Sequence, residues 1–359
     1  MNMSFEMLKE VMDFYCNDSF LTGCSVMVRK DHDVIFTYET GFSDLGKCSP
    51  FAGEAPVFIY SCTKMFTCVA ALQLVEKGKL SLEDSLSKFY PAADPRVKIL
   101  NLFNMTAGYD YDLEPFAKYS GTDASTQEIV GELVKKPLHF VPGEMWLYGL
   151  EHDILAGVVE LASGMRFSDY LEENIYKPLG LKNSTMRLTE ELLDKMAPQH
   201  FYDRKLGKLV PFTKTDPYIL SNNYDCGGAG MISTRNDLSL FLDALACGGV
   251  GESGERILSE DSIRLYSTNT LSPKAVRTFN YQEPNMLGHG YGLGVRTFID
   301  PSYGDDIIPI GEFGWGGAAG TEEIVDPVNH VSLSFITHVL DCYGSQIMEQ
   351  LLHALYVDL

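Results

Sequence analysis

The chain has 359 residues, of which 45% are hydrophobic and 21% are charged, and its formal net charge at pH 7 is −21. This length is enough for about two domains, and the composition is that of an ordinary globular protein. The negative charge excludes nucleic acid as a partner, because binding to phosphate backbones requires a basic surface, and it mildly disfavours anionic substrates.

Neither a membrane span nor a secretion signal is predicted. Apolar stretches such as residues 65–75 are interrupted by polar residues and are shorter than the ~20 residues that a helix needs to cross a bilayer. The first fifteen residues include acidic side chains and no basic leader region. The eight cysteines occur singly, without a Cys-x-x-Cys pair, which predicts free thiols in a reducing cytoplasm.

Strands are predicted near both ends of the chain, with helices between them. Apolar side chains recur at helical spacing in some segments and cluster as in strands in others. The predicted elements are, in chain order, a helix at 5–15, strands at 24–29 and 34–39, helices at 61–76, 152–162 and 236–247, strands at 291–299, 322–325 and 331–337, and a closing helix around 347–355. This order indicates an antiparallel sheet built from both ends of the chain, with a helical region inserted into it.

The motif Ser-x-x-Lys occurs at Ser61–Lys64 and at Ser85–Lys88, whereas GxSxG, HExxH, a P-loop and a Cys/His cluster at zinc spacing do not occur. Only the first copy follows an apolar strand-like run and opens an apolar helix. That helix would place the Ser61 and Lys64 Cβ atoms about 5–6 Å apart, where the lysine can assist removal of the serine proton. Taken alone, the motif favours a helix-capping serine beside a surface lysine.

Seven stretches of the chain resemble, in their order and spacing, the serine β-lactamase and penicillin-binding protein superfamily. They are IYSCTKMFTCVAALQLVEKGKLSLEDSLSKFYP, NMTAGY, PGEMWLYGLEHDILAGVVELASGM, NIYKPLGLKNSTM, GGAGMISTRNDLSLFLDAL, HGYGLGV and GWGGAAGTEEIVDP. The chain is most similar to the class C-like branch, and closest there to the family VIII carboxylesterases. The resemblance implies a β-lactamase/transpeptidase-like α+β fold, with an antiparallel sheet flanked by the terminal helices. Residues 1–90 and 203–359 would form the sheet domain, and residues 91–202 an inserted, mostly helical domain.

The resemblance also implies the catalytic residues. Ser61 would be the nucleophile and Lys64 its proton partner. Tyr148, at the position of the tyrosine in the Tyr-x-Asn motif of class C enzymes, would be the general base of acylation and the acid to the leaving group. A free tyrosine has a pKa near about 10, so this role requires a nearby cation such as Lys64. The backbone N–H groups of Ser61 and Ala318 would form the oxyanion hole, and neither a metal nor an organic cofactor is needed.

Two departures from the class C pattern bear on the substrate. The third motif falls on Trp315-Gly316-Gly317, where the glycines let a strand approach the substrate closely. Trp315 stands at the position of the motif's lysine, which helps to bind a β-lactam carboxylate, and Leu150 replaces the asparagine that binds the substrate's amide side chain. These four residues are predicted to bind substrate, and the loss of both polar anchors favours a neutral ester.

Other candidate residues have structural interpretations. His152 and Asp153 do not suit a Ser-His-Asp triad, because adjacent residues on a helix point about 100° apart. Asp153 is predicted to be a carboxylate near the start of a helix, and His152 to be structural or to line the rim of the site. Cys62 is predicted to be a buried, unreactive thiol. Tyr109 and Tyr111 are assigned to packing, with a place at the entrance of the site as the alternative.

The predicted reaction is two-step acyl transfer, in which Ser61 is acylated and water then releases the acyl group. The predicted partner is a small-molecule ester or amide, with small neutral esters favoured. Three alternatives stay open at this point: a β-lactamase or D-amino-acid peptidase, an acyltransferase to an acceptor other than water, and a scaffold on this fold without catalysis.

Overall fold

The structure is a computed structural model that describes residues 4–18, 20–212, 218, 221–303, 307–342 and 344–359. Its strands are β1 Gly23–Lys30, β2 Asp33–Gly41, β3 Val57–Phe58, β4 His200–Asp203, β5 Lys208–Pro211, β6 Ile232–Ser233, β7 His289–Tyr291, β8 Arg296–Phe298, β9 Phe313–Gly316, β10 Glu322–Asp326, β11 Val331–Ile336 and β12 Val339–Leu340. Its α-helices are α1 Glu6–Asn17, α2 Thr63–Glu76, α3 Ile99–Phe103, α4 Glu114–Tyr119, α5 Thr126–Leu133, α6 Glu151–Ser163, α7 Phe167–Leu171, α8 Lys177–Leu179, α9 Glu190–Leu193, α10 Arg235–Ala246, α11 Glu260–Ser267, α12 Pro273–Gln282 and α13 Gly344–Asp358.

A seven-stranded antiparallel sheet in the order β2-β1-β11-β10-β9-β8-β7 joins the two ends of the chain. Cys24 of β1 contacts Cys16 of α1, whereas its neighbour Ser25 accepts a hydrogen bond from Arg235 of α10. Successive side chains of a strand point to opposite faces. The α1 helix, which packs against α13, therefore covers one face of the sheet and α10 covers the other. The predicted α+β fold, with an antiparallel sheet flanked by the terminal helices, is confirmed.

The strand predicted over residues 291–299 is wrong as one continuous element. The structure divides this segment into the end of β7, a tight turn and β8, which pair antiparallel with His289 opposite Phe298. Gly294 takes a positive φ of 95°, and Gly292 N–H donates to Val295 O at 2.8 Å, so the chain reverses here. The apolar residues continue through the turn, and for this reason the hydrophobic pattern did not show it.

The helices α3 to α9 all lie between α2 and β4 in the chain, and in the described residues no strand of the seven-stranded sheet comes from this segment. Helix α6 packs against α2, α3 and α5. This arrangement agrees with the predicted helical insertion in its element content. The division of the chain at residues 90 and 202 stays a prediction.

Helix α2 is the helix that follows Ser61 and contains Lys64, the two ends of the first Ser-x-x-Lys motif. Every residue from Thr63 to Leu74 is buried, as expected for a helix that contacts protein on all sides. Gly78, with a φ of 65°, follows its end as predicted. In the described part of the chain, neither α2 nor any other helix has the length and apolar character needed to cross a membrane.

Candidate active site

The hydroxyl of Ser61 lies between Lys64 and Tyr148. Ser61 Oγ is 2.6 Å from Tyr148 Oη and accepts a hydrogen bond from Lys64 Nζ at 3.1 Å. Lys64 Nζ also lies 4.8 Å from the centre of the Tyr148 ring. Ser61 is 9% exposed and Lys64 is 1% exposed, so the interactions among these groups are little screened by water. The structure thus brings together the three residues that the sequence proposes as catalytic.

A sharp turn places Ser61 at the start of this helical segment. Strand β3 pairs with β6, and Ile59 N–H then donates to Met231 O at 3.1 Å. The next residue, Tyr60, has a left-handed backbone with a φ of 46°, which costs free energy in a residue that is not glycine. Its hydroxyl accepts a hydrogen bond from Gln199 at 2.8 Å. A 3₁₀ turn over Tyr60–Cys62 leads into α2, which begins at Thr63. The α-helix predicted to begin at Ser61 therefore begins two residues later, and Ser61 lies in the 3₁₀ turn.

Lys64 is held from the other side by the loop that precedes β6. Its Nζ donates to the backbone O of Gly228 at 2.7 Å. This loop is in turn fixed by the buried carboxylate of Asp153, whose Oδ1 accepts hydrogen bonds from Tyr224 Oη at 2.8 Å, Cys226 Sγ at 3.0 Å and Gly228 N at 3.3 Å. Asp153 lies in the first turn of α6, as predicted. Its connection to Lys64 was not predicted, because its partners are 71 to 75 residues away in the sequence.

Asp153→Ala is expected to lower both stability and turnover. The substitution leaves three donors of the loop without their acceptor, and each unsatisfied buried group costs about 1–3 kcal/mol, so we expect a loss of about 3 kcal/mol or more in the free energy of unfolding. Displacement of Gly228 should lower kcat by up to about 10²-fold. Urea unfolding and ester hydrolysis measure the two effects. Asp153→Asn keeps an acceptor oxygen and should lose less of both, whereas equal stability of Asp153→Ala and wild type would contradict the role of this network.

The third motif lies against the turn that carries Ser61. A Cβ atom added to Gly317 would lie 2.3 Å from Ile59 O, so only glycine permits this approach of the two backbones. Gly317 N–H donates to Thr321 O at 2.7 Å, which fixes the turn after β9. Among the described hydrogen bonds, neither Ser61 N–H nor Ala318 N–H donates to another protein group. The oxyanion hole that these two amides would form stays a prediction.

Gly317→Ala is expected to lower kcat by about 10²-fold, because its Cβ must push the end of β9 away from Ile59 and with it the Ala318 amide. The control is Gly131→Ala in α5, where an added Cβ meets no atom within 4 Å. That variant should keep full activity and gain up to about 1 kcal/mol in helix stability. Wild-type kcat in Gly317→Ala, measured with the same ester, would contradict the close approach.

Aromatic rings form the walls of the site. The ring of Tyr148 is parallel to that of Tyr111 at 5.6 Å and nearly parallel to that of Trp315 at 5.8 Å. The structure thus places Tyr111 against Tyr148, and its place at the entrance of the site stays a prediction. Trp315 is held edge-on by Tyr291 at 5.3 Å. Leu150 is buried at the start of α6, and the substrate contact predicted for it stays a prediction.

The charges near the site are few. Among the described contacts of Ser61 and Tyr148, Lys64 is the single cation. Two acidic residues, Glu322 and Glu323, lie on β10 next to the third motif, and burial raises the pKa of both carboxyls well above their usual range. Burial thus disfavours the charged form of both carboxyls.

Two potentially reactive side chains beside the site take no part in it. Cys62 is fully buried, as predicted, and burial raises the pKa of its thiol well above the usual range, which disfavours the reactive thiolate. His152 is also fully buried, with Nε2 at 3.1 Å from Phe103 O. Burial lowers the pKa of this imidazole to about 3, so it stays neutral. Its structural role is as predicted, and the alternative place at the rim is wrong.

Comparison with known proteins gives consistent matches along the chain. A family model described as Beta-lactamase matches residues 12–346. A putative D-alanyl-D-alanine carboxypeptidase of Escherichia coli (strain K12) is 24% identical over 314 residues, which cover 77% of this chain and 68% of that protein. EstCE1, described as a hydrolase with promiscuous acyltransferase activity, has a similar structure with a TM-score of 0.84 and 22% identity, covering 98% of each chain. Simvastatin synthase (LovD) from Aspergillus terreus has a TM-score of 0.81 and 19% identity, covering 98% of this chain and 97% of that one.

Proposed function

Because this chain belongs to the beta-lactamase family, whose members are serine hydrolases, we propose that it is a carboxylesterase that acts on small neutral esters through an acyl-enzyme on Ser61. The observation that carries the proposal is the position of Ser61 Oγ, 2.6 Å from Tyr148 Oη and 3.1 Å from Lys64 Nζ. A serine hydroxyl is a weak nucleophile until a neighbouring group accepts its proton, and this arrangement supplies that group.

Acylation begins with attack of Ser61 Oγ on the ester carbonyl carbon. The proton of the hydroxyl passes to the pair formed by Tyr148 and Lys64, while the Ser61 and Ala318 amides stabilise the negative oxygen of the tetrahedral intermediate. When the intermediate collapses, the bond to the alcohol oxygen breaks and the alcohol takes the proton from the same pair. The acyl group remains on Ser61 as an ester.

Deacylation repeats these steps with water as the nucleophile. Water attacks the acyl carbon and gives its proton to the Tyr148–Lys64 pair, and the pair returns a proton to Ser61 Oγ as the acid leaves. Lys64 is buried, with its Nζ 3.1 Å from Ser61 Oγ and 4.8 Å from the centre of the Tyr148 ring, so its amino group lies beside both partners of the proton transfer. The cycle uses one water for each ester and restores the free enzyme.

The lining of the site supports a neutral substrate. Trp315 offers no positive charge, and Leu150 no polar group, at the two positions where class C enzymes bind a carboxylate and an amide. The net charge of −21 further disfavours anions. The aromatic walls formed by Tyr111, Tyr148 and Trp315 suit an acyl or alcohol group with apolar surface. A β-lactam or a peptide with a free carboxylate would lack a cationic partner at residue 315.

A panel of substrates tests the proposal. The purified protein is assayed with p-nitrophenyl butyrate, a cephalosporin and a D-alanyl-D-alanine peptide, and we expect the ester to have the highest kcat/KM. Faster hydrolysis of the cephalosporin or the peptide would replace the esterase by a β-lactamase or a D-amino-acid peptidase. In a parallel sample, a fluorophosphonate probe should label Ser61, as located by mass spectrometry. Absence of labelling in a protein that melts cooperatively would indicate a scaffold without catalysis.

Acyl transfer to an alcohol is the second candidate function. EstCE1, whose structure this chain resembles, is described as a hydrolase with promiscuous acyltransferase activity. The same acyl-enzyme on Ser61 would serve both reactions, and the limited exposure of Ser61 favours an apolar acceptor over free access of water. Product analysis with added alcohols separates the two: transfer predominates if the new ester exceeds the free acid when the alcohol is far more dilute than water.

We also propose a cytoplasmic location. All eight cysteines, each of which lies in the described residues, are free thiols. Cys16 and Cys24 place their sulfur atoms 3.6 Å apart and are not bonded to each other. Such neighbouring thiols persist in a reducing compartment and are readily oxidised outside one.

A further inference from the structure

A second cluster of polar side chains lies where the turn between β1 and β2 meets the carboxyl-terminal end of α10. His32 Nδ1 is 2.8 Å from Asp243 Oδ2, and Cys247 Sγ is 3.9 Å from Asp243 Oδ1. One potential ligand atom from each of the three residues lies within 4.8 Å of those of the other two. An imidazole nitrogen, a carboxylate oxygen and a thiolate sulfur are all established ligands of Zn²⁺.

The three potential ligand atoms lie near enough to one another for a tetrahedral zinc site to form after side-chain rotation. With bonds of about 2.0–2.3 Å, such an ion holds its ligand atoms about 3.4–3.6 Å apart. The two observed separations run to different oxygens of Asp243, 2.8 Å from His32 Nδ1 to Oδ2 and 3.9 Å from Cys247 Sγ to Oδ1, so rotation must bring one carboxylate oxygen to this distance from both partners. Asp243 and Cys247 are four residues apart at the end of α10 and therefore share one helix face.

The electrostatic surroundings also favour a cation. The Asp243 side chain is 1% exposed, and among the ion pairs of the described residues it has a partner only in His32. The guanidinium of Arg29 lies near but is bound to Glu252 at 2.7 Å and to the His32 backbone O at 2.9 Å. A buried carboxylate without a permanent positive partner is costly. The negative end of the α10 dipole adds to the attraction for a cation at this position.

From this geometry we infer that His32, Asp243 and Cys247 bind a zinc ion, with water as the fourth ligand. The His32 side chain is 37% exposed, which gives the ion a path from solvent. Binding replaces the proton of the Cys247 thiol, which is released to water, while His32 binds through neutral Nδ1. The ion joins two segments that are 211 residues apart, at the outer edge of the sheet and on the helix that covers it. The site is independent of the proposed hydrolysis.

Cobalt binding tests the site, because Co²⁺ replaces Zn²⁺ and a cobalt–thiolate bond gives a charge-transfer absorption in the near ultraviolet. The protein, freed of metal with a chelator, is titrated with Co²⁺, and we expect this absorption to saturate at one ion per chain and to disappear on addition of Zn²⁺. Cys247→Ser should abolish it. His32→Asn, chosen because asparagine tolerates the left-handed backbone at this position, should weaken Co²⁺ binding by at least about 10-fold.

Two controls make the result decisive. Cys48→Ser removes an exposed thiol from the surface and should leave the Co²⁺ absorption unchanged. Zn²⁺ should raise the melting temperature of the wild type and of Cys48→Ser, but not that of His32→Asn, since a ligand stabilises only a fold that binds it. No charge-transfer absorption in the wild type, or an equal one in Cys247→Ser, would overturn the inference. Ester hydrolysis by the same samples should not change, whichever result is obtained.

Discussion

Replacing Ser61 with alanine is expected to lower kcat for p-nitrophenyl butyrate by about 10⁶-fold, because loss of the nucleophile in a serine hydrolase commonly has an effect of this size. The substitution removes a single oxygen atom and leaves the helix start in place. The oxygen makes two contacts, with Tyr148 Oη and Lys64 Nζ, and both belong to the proposed chemistry. The measurement is the release of p-nitrophenol by wild type and variant at equal concentration.

The second Ser-x-x-Lys motif supplies a matched control. Ser85 accepts a hydrogen bond from Ser87 N–H at 3.3 Å at the start of a 3₁₀ turn, and Lys88 forms an ion pair with Asp84 at 2.9 Å. Ser85→Ala should therefore keep full activity and lose about 1 kcal/mol of stability as a lost cap. If Ser61→Ala and Ser85→Ala both retain wild-type turnover, Ser61 is not the nucleophile. Thermal melting of both variants excludes unfolding as the cause of a loss.

The sequence predicts best what is local. The Ser61–Lys64 contact follows from one turn of helix, and the strands at both ends of the chain follow from their apolar patterns. Tyr148 lies 87 residues from Ser61, so no spacing rule leads to it, and only the resemblance to known enzymes identified it. The turn at Gly294 was not predicted, because apolar residues continue through it. The pattern of apolar side chains does not show where the backbone reverses its direction.

Contacts between distant segments set the rest of the site. The sequence predicts Asp153 only as an acidic residue at the start of a helix. No neighbouring residue in the sequence indicates that its carboxylate accepts three hydrogen bonds from the loop that holds Lys64. The zinc ligands inferred at His32, Asp243 and Cys247 do not match a zinc-binding sequence motif, because His32 is 211 residues away from Asp243 in the sequence. Such partners become visible only when folding has brought distant segments of the chain together.

Tyr148→Phe is expected to lower kcat by about 10²–10⁴-fold, which is the usual contribution of a general acid–base group. The variant retains the ring that stacks with Tyr111 and Trp315, and loses only the oxygen at 2.6 Å from Ser61 Oγ. KM should therefore change little while kcat falls, and the rate of Ser61 labelling by a fluorophosphonate should fall with it. Both rates are measured over a range of substrate or probe concentrations.

The control for this variant is Tyr111→Phe, which removes a hydroxyl from the neighbouring ring and should leave kcat within a few-fold of wild type. The ring stacks on Tyr148 at 5.6 Å and contributes wall surface that phenylalanine preserves. A kcat for Tyr148→Phe equal to that of Tyr111→Phe would assign the proton transfer to Lys64 alone, since its Nζ is the other group in hydrogen-bond contact with Ser61 Oγ. A large loss in Tyr148→Phe alone means that the Tyr148 hydroxyl carries the proton between Ser61 and the leaving alcohol.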